Sequence, residues 1–294
     1  MMHVDEQQQQ QQQSVIFEAV SRSKGLFYKN LFDLHLQISP LCDKNPRIRQ
    51  TCFKIRGNGL QIYTNVQHHI HANAKVTKEA FDTYTLSNDV EELNIGISLE
   101  YLKTTFKNAK KTDDVVFTVL GGDDTDDTLP GNICIQIIKT QKTSKNNQTT
   151  DYPKVKSNAK IKVTLVQNQL LEFGERITDP VSVSNEEYLS ICRNIQMQPG
   201  WIDISRSDQS LKFAFQVNEI IECSTVIGEA SEPLSAPQRF NANNIKSTNK
   251  IATFGPQLKI YLNKHQPMVI ESNNEHINIG IWVKSNDQIS EENK

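Results

Sequence analysis

Histidines are the first residues of this sequence that could bind a metal ion or transfer protons. Three of them lie close together, at His68, His69 and His71. On a β-strand His69 and His71 lie on one face and His68 on the other. No cysteine or carboxylate cluster lies near them in the sequence, so we expect an exposed or groove-lining pair rather than a metal site.

A second candidate is an acidic run formed by Asp123, Asp124, Asp126 and Asp127. It lacks the ligand spacing and the closing glutamate of an EF-hand loop. We therefore interpret it as a solvated surface loop. The sequence also contains no GxSxG, HExxH or Walker-type motif. We expect no catalytic residue, no cofactor and no bound metal.

Composition limits the classes of function further. The chain has 294 residues, of which 37% are hydrophobic, and a net charge of -2. At roughly 100–200 residues per domain, this length predicts two domains. A near-neutral chain is not a polycationic DNA binder, so any DNA-binding residues must be gathered on one surface.

Cysteine usage and hydropathy indicate the cellular compartment. The five cysteines are scattered and form no CxxC pair, which argues against a zinc site or a redox motif. We identify no signal peptide and no apolar run of about 20 residues that would span a membrane. These features predict an intracellular protein with reduced thiols.

Polar segments divide the chain. Residues 1–14 form a tail that includes the homopolymer Gln7–Gln13, which we expect to be disordered. The acidic, turn-rich stretch Gly121–Gly131 and the Lys/Asn/Gln/Thr-rich stretch Lys139–Asn158 are interpreted as long surface loops inserted between strands.

Two helices have clear signals and resemble copies of each other. Ser98 is a plausible N-cap for a helix with Leu99, Leu102, Phe106 and Ala109 on one face. A capping box from Ser184 to Glu187 begins the other helix, whose core face is formed by Tyr188, Ile191, Cys192 and Ile195. Ser98 and Ser184 are 86 positions apart, and the same spacing separates Lys107 from Arg193.

The same unit can be traced at both ends of the chain. A strand at Val15–Val20 precedes a predicted helix at Lys24–Gln37, and a weaker helix is predicted at Phe240–Ala252, where asparagines are poor helix formers. Alternating apolar runs after each helix predict three strands. The sequence thus predicts an α+β fold with four strand–helix–three-strand units, two in each of two similar domains.

If the four helices lie on one side of curved antiparallel sheets, their free faces form a single basic surface. Such a surface contacts phosphates without reading base sequence. Most lysines on helices are simply solvated, so the prediction rests on their recurrence at equivalent positions. The predicted DNA-binding residues are Lys24, Lys29, Lys103, Lys107, Lys110, Arg193, Lys246 and Lys250.

Four short motifs resemble the proliferating cell nuclear antigen (PCNA) family of DNA sliding clamps. They are Phe17-Glu-Ala with Gly25, Phe81-Asp-Thr-Tyr84, Tyr188-Leu-Ser-Ile-Cys-Arg193 and Pro267-Met-Val-Ile-Glu271. Their order and spacing cover about residues 15–284. The resemblance implies the DNA clamp fold, with a tail at 1–14, domains at 15–161 and 179–284, a connector at 162–178 and a second tail at 285–294.

The resemblance also implies the function. It implies a non-enzymatic homotrimeric ring, placed by a clamp loader around double-stranded DNA, that tethers DNA polymerase and other replication and repair proteins in the nucleus. Positions that match the DNA-facing basic residues of the family are Lys29, Lys107, Arg193 and Lys250. Other basic positions of the family are occupied by Asn30, Leu36 and Asn243, and we expect the nearby Lys103, Lys110 and Lys246 to compensate.

Proteins of this family bind partner peptides in a groove beside the connector, here at about Lys162–Thr178. The residues that the resemblance assigns to this groove are His69, Ile70, Leu170, Leu171, Phe173, Ile177 and Pro267. Two departures alter the expected peptide preference. Asn65 stands where the family has methionine, and Ile279–Val283 replaces an aromatic-Leu-Ala-Pro stretch.

Two alternative functions share the fold. One is a subunit of a heterotrimeric checkpoint clamp. The other is a divergent viral processivity factor that does not form a closed homotrimer and that works wherever the viral genome is replicated.

Overall fold

The computed structural model describes most of the chain. The described residues are 14–39, 49–66, 69–122, 130–145, 148–166, 176, 178–196, 200–217, 221–228 and 234–292. The poly-glutamine segment, residues 123–129 of the predicted acidic loop and most of the predicted connector lie outside this set.

The first half contains two strand–helix–three-strand units and a short additional strand before the second. The first unit consists of β1 (Val15–Ser21), α1 (Gly25–Ile38), β2 (Gln50–Arg56), β3 (Gly59–Val66) and β4 (Ile70–Thr77). The additional strand β5 (Thr83–Leu86) precedes β6 (Glu92–Ser98), α2 (Leu99–Phe106), β7 (Asp113–Gly121), β8 (Pro130–Lys145) and β9 (Gln148–Lys162).

The second half repeats this order after a short strand, β10 (Thr164–Leu165). Its third unit is β11 (Val181–Ser184), α3 (Asn185–Gln196), β12 (Trp201–Arg206), β13 (Ser210–Val217) and β14 (Ile221–Gly228). The fourth is β15 (Gln238–Asn241), α4 (Ala242–Ser247), a 3₁₀ helix (Asn249–Thr253), β16 (Gln257–Asn263), β17 (Gln266–Asn273) and β18 (Ile277–Val283). The predicted fourfold repeat is confirmed, and the C-terminal segment adds α5 (Asn286–Glu292).

The described strands form three antiparallel sheets in which neighbouring units exchange their first strands. β1 pairs with β7 of the second unit, and β6 pairs with β2 of the first. In the second half β11 pairs with β16, and β15 pairs with β12. Pairing of β4 with β18 joins the halves into one nine-stranded sheet with the order β10-β6-β2-β3-β4-β18-β17-β16-β11.

Local sequence signals explain how the helices begin. The predicted capping box is present: the Ser184 N–H donates to Glu187 Oε2 at 3.0 Å, and the Glu187 N–H donates to Ser184 Oγ at 3.3 Å. Ser98 precedes α2 as expected, but its side chain makes no capping hydrogen bond. Asn241 caps α4 by accepting from the Asn243 N–H at 2.9 Å. The asparagines of α4 limit it to six residues, after which the chain continues as a 3₁₀ helix.

Aromatic side chains fill the core between the helices and the sheets. Tyr28 of α1 packs against Phe117 of β7 with ring centroids 4.9 Å apart, and Phe32 packs against Phe106 of α2 at 5.0 Å. Phe27 meets Phe254, beyond the 3₁₀ helix, at 5.5 Å. This contact links the helices of the first half to those of the second.

One predicted loop is wrong. Residues 139–158, expected to be a polar loop, belong largely to the long antiparallel hairpin β8–β9, whose pairing runs from Asn132 opposite Lys162 to Lys145 opposite Gln148. The segment has no apolar alternation, which is why it did not resemble a strand. Its threonines favour extended backbone, and cross-strand pairing satisfies the main chain without an apolar face.

None of the described helices is both long enough and apolar enough to cross a lipid bilayer.

Candidate nucleic-acid interface

The helices lie together in one layer. α1 contacts α2, α4 and the 3₁₀ helix, and α3 contacts α4 and the same 3₁₀ helix. Each helix buries an apolar stripe, such as Leu99, Leu102 and Phe106 of α2. The layer therefore presents its other side as a single surface that includes parts of all four units.

The predicted DNA-binding residues all belong to this layer or to its immediate ends. Lys24 precedes α1, Lys29 lies within it, and Lys103 and Lys107 lie within and at the end of α2. Lys110 follows in the turn to β7, Arg193 is in α3, Lys246 is in α4 and Lys250 is in the 3₁₀ helix. Lys103, Lys107, Lys110 and Arg193 are exposed, whereas Lys24, Lys29, Lys246 and Lys250 are half-buried.

The surface also contains an ion pair that the sequence did not reveal. Arg49, just before β2, places Nη1 3.4 Å from Glu100 Oε1 in the first turn of α2. A carboxylate there interacts favourably with the positive end of the helix dipole. The neighbouring Tyr101 is 63% exposed on the same helix. Arg49 and Glu100 are 51 positions apart, so only the pairing of β2 with β6 brings them together.

The predicted partner groove is described only in part. Leu170, Leu171, Phe173 and Ile177 lie outside the described residues. His69 and Pro267 are half-buried. Ile70 is 3% exposed and belongs to the hydrophobic core. The predicted groove position of Ile70 is therefore corrected: it alternates with the polar positions of β4 and faces the core with Ala72.

The histidine pair also differs from its prediction. His71 is 1% exposed, and its ring lies 5.3 Å from that of Trp282. It is thus covered rather than exposed, although it lies on the face of the sheet away from the helices. Burial lowers the pKa of His71 to about 4. Among the residues that the structure describes, no three His, Cys, Asp or Glu side chains are grouped as a metal site.

A second buried histidine was missed by the sequence analysis. His35 of α1 is fully buried, with Nδ1 2.8 Å from Thr64 Oγ1 on β3. Burial, with a smaller repulsive effect of His71, lowers the pKa of His35 to about 3. The signal for this residue in the sequence was a single histidine on an otherwise apolar face of the predicted helix.

The face opposite the helices carries a second polar arrangement. The Arg176 guanidinium forms an ion pair with the buried carboxylate of Glu271 on β17. It also lies 4.7 Å from the centre of the Tyr261 ring on β16. Arg176 lies within the range predicted as the connector, and these contacts hold its side chain against the sheet.

The arrangement of four strand–helix–three-strand units with one helix layer defines a sliding-clamp fold. The structure is similar to the crystal structure of PCNA from Entamoeba histolytica, with a TM-score of 0.67 and 15% sequence identity over 92% of this chain and 99% of that chain. No protein-family model matches the sequence.

Two viral proteins have related sequences. Uncharacterized protein 436R of Invertebrate iridescent virus 6 is 25% identical over 257 residues, which are 84% of this chain and 80% of that protein. Uncharacterized protein 060L of Invertebrate iridescent virus 3 is 22% identical over 275 residues, which are 90% of this chain and 85% of that protein.

Proposed function

We propose that this protein is a DNA sliding clamp, a non-enzymatic processivity factor that encircles duplex DNA and tethers a DNA polymerase and other replication and repair proteins. The observation that carries the proposal is the continuous helix layer with cations from all four units, in a chain whose net charge is -2. Lysines on such a surface neutralise phosphates without reading bases, which is what a sliding protein requires.

Two of the sheet edges, formed by β9 and β14, support a ring. Within the described strands, β9 and β14 each end a sheet without a second partner. Val155 on β9 and Val226 on β14 are 51% and 45% exposed. Pairing β9 of one copy with β14 of the next is a head-to-tail contact, and such contacts close into a ring when the rotation allows. The family resemblance favours three copies.

We infer that partners include peptide segments of a polymerase and of other clients, bound beside the predicted connector, and a clamp loader that opens the ring. The contact of Arg176 with Glu271 supports a connector held against the outer sheet face. The working location is the site of genome replication, which is the nucleus for a cellular clamp.

A second candidate is a divergent viral processivity factor that does not close into a homotrimer. The two iridescent virus relatives favour this version, since both cover most of the chain. A checkpoint-clamp subunit, which would need different partner subunits, is favoured by no specific contact.

Light scattering during size exclusion tests the assembly. A homotrimer of the 33.4 kDa chain has a mass of three times 33.4, or about 100 kDa. A monomer would contradict the closed homotrimer and favour the viral or heterotrimeric alternative.

A bead assay tests the DNA interface. The protein is equilibrated with a linear duplex tethered at one end, and retention is compared between wild type and the Lys103→Glu/Lys107→Glu/Arg193→Glu variant. We expect the variant to lose retention while its thermal unfolding stays unchanged. Equal retention by the two proteins would contradict the helix-surface assignment and with it the proposed function.

A further inference from the structure

A group of lysines lies where the β8–β9 hairpin leaves its sheet. β7 pairs with β8 as far as Asp113 opposite Lys139, whereas β8 and β9 continue to pair out to Lys145 opposite Gln148. Six residues of β8 therefore extend beyond β7 in a two-stranded ribbon, a length of about 20 Å at 3.3 Å per residue.

Strand alternation places the lysines at the base of this ribbon on the helix side of the sheet. Asp113 is in line with Val115 and Phe117, which are buried beneath the helices. Lys139 is directly opposite Asp113, and Lys154 is directly opposite Lys139. Residues directly opposite each other share a face, so both lysines lie on the side of the helix layer, where both are exposed.

This placement is electrostatically unfavourable for the isolated chain. Like charges directly opposite on a sheet destabilise it. The carboxylate directly opposite Lys139 is already engaged, because Asp113 Oδ2 accepts hydrogen bonds from Lys156 Nζ at 2.5 Å and from the Lys110 N–H at 2.8 Å. Neither Lys139 nor Lys154 forms an ion pair with any other residue that the structure describes.

The positive surface at the base of the ribbon continues into the helix layer. Lys110 and Lys111 are exposed in the turn between α2 and β7. The start of α1 touches this turn so closely that a Cβ on Gly25 would lie 2.6 Å from the Lys110 carbonyl oxygen. Lys24 and the end of α2 therefore adjoin the base of the ribbon, and the positive surface extends from the helices onto β8 and β9.

Resting on the proposed function, we propose that Lys139 and Lys154, with Lys110 and Lys111, form a second phosphate-binding surface for duplex DNA at one end of the helix layer. A polyanion relieves the repulsion between the opposed lysines. Continuity with the helix surface favours the duplex that this surface holds over an acidic protein. The contacts are with phosphates only, since flexible ammonium groups on an edge carry no base-specific geometry.

The salt dependence of DNA binding tests the assignment. Retention on the tethered linear duplex is measured over a salt series for wild type, for Lys139→Gln/Lys154→Gln, and for the control Lys75→Gln/Lys212→Gln. The control lysines lie on the sheet faces away from the helices. Retention gives the association constant K for the duplex at each salt concentration. Removing two phosphate contacts is expected to make the slope of log K against log salt concentration shallower by about 2.

The outcomes separate this inference from the proposed function. A slope equal to that of the control, with unchanged thermal unfolding, would overturn the ribbon assignment. If the helix-surface variant, Lys103→Glu/Lys107→Glu/Arg193→Glu, loses retention at the same time, the proposed clamp function stands without the ribbon. If the helix-surface variant is retained like wild type, the proposed function itself fails. Neutral glutamines keep the extended backbone and introduce no new charge, so folding is preserved.

Discussion

Lys29 Nζ donates a hydrogen bond to the backbone carbonyl oxygen of Lys107 at a distance of 3.0 Å. The last carbonyls of a helix have no partner within the helix and carry the negative end of its dipole. Lys29 therefore satisfies the end of α2 from α1 and joins two helices of the layer. One of the predicted DNA-facing lysines thus has a structural role in addition to its charge.

We expect Lys29→Met to destabilise the fold and Lys103→Met to leave it nearly unchanged. Methionine keeps the apolar stem of Lys29 but removes its donor, which costs about 0.5–1.5 kcal/mol. The exposed Lys103 is the matched control on α2, and its replacement should change the free energy of unfolding by less than about 0.5 kcal/mol. Urea unfolding measures both. Equal stabilities of the two variants would show that the Lys29 bond contributes nothing.

Acid should destabilise this protein through its buried histidines. The pKa of His35 is lowered to about 3 and that of His71 to about 4, against about 6.5 in an unfolded chain. The unfolded state then binds more protons than the folded state. The stability that the neutral histidines contribute is present above pH ~6.5 and is lost as the pH falls toward these two values.

Urea unfolding at neutral pH and at mildly acidic pH measures this loss. Each histidine contributes at most about 1.4 kcal/mol per pH unit within the window. We expect His35→Asn, which cannot be protonated there, to show a shallower pH dependence than wild type. His276 is half-buried on the surface, and His276→Asn serves as the control with an unchanged slope. If the His35 variant lost stability with falling pH as steeply as wild type, His35 would not be a source of the acid sensitivity.

Repetition within the sequence was enough to predict the architecture. The 86-residue spacing from Ser98 to Ser184 and the capping box at Glu187 are local signals, and the structure confirms the units that they mark. The exchange of first strands between units could not be predicted in this way. It depends on pairings such as β1 with β7, which join residues about 100 positions apart and have no signature in either strand alone.

Three differences between the predictions and the structure have a common physical origin. The β8–β9 ribbon lacks an apolar face, Ile70 faces the core because it alternates with His71 along β4, and His71 is covered by Trp282. In each case the residue types are evident from the sequence, but strand pairing and burial depend on what lies across the sheet. The same limit applies to the predicted DNA-facing lysines, since only the structure revealed that Lys29 bonds to α2.

Gly280 and Trp282 define the shape of the outer face near His71. A Cβ on Gly280 would lie 2.7 Å from the Trp282 ring, so the indole rests directly on this glycine. We expect Gly280→Ala to displace the ring and to destabilise the fold by about 1–3 kcal/mol. Gly57→Ala is the control, because no atom lies within 4 Å of a Cβ at that exposed turn.

Thermal unfolding and tryptophan fluorescence in a Trp201→Phe background report on this change. The double variant Gly280→Ala/Trp282→Ala should lose less stability than the sum of the two single variants, since the alanine at 280 then has space. Additive losses would mean that the indole does not rest on Gly280 in solution.

The ion pair between Arg176 and Glu271 should show a strong coupling energy. Glu271 is 2% exposed, so removing Arg176 leaves a buried carboxylate without its cation, whereas removing both charges does not. We expect Arg176→Met to cost about 1–3 kcal/mol and Arg176→Met/Glu271→Met to cost less than the sum of the single variants. Lys259→Met on β16 is a matched control that removes an exposed cation opposite Glu271. A control loss equal to that of Arg176→Met would show that general charge balance, rather than this contact, accounts for the loss of stability.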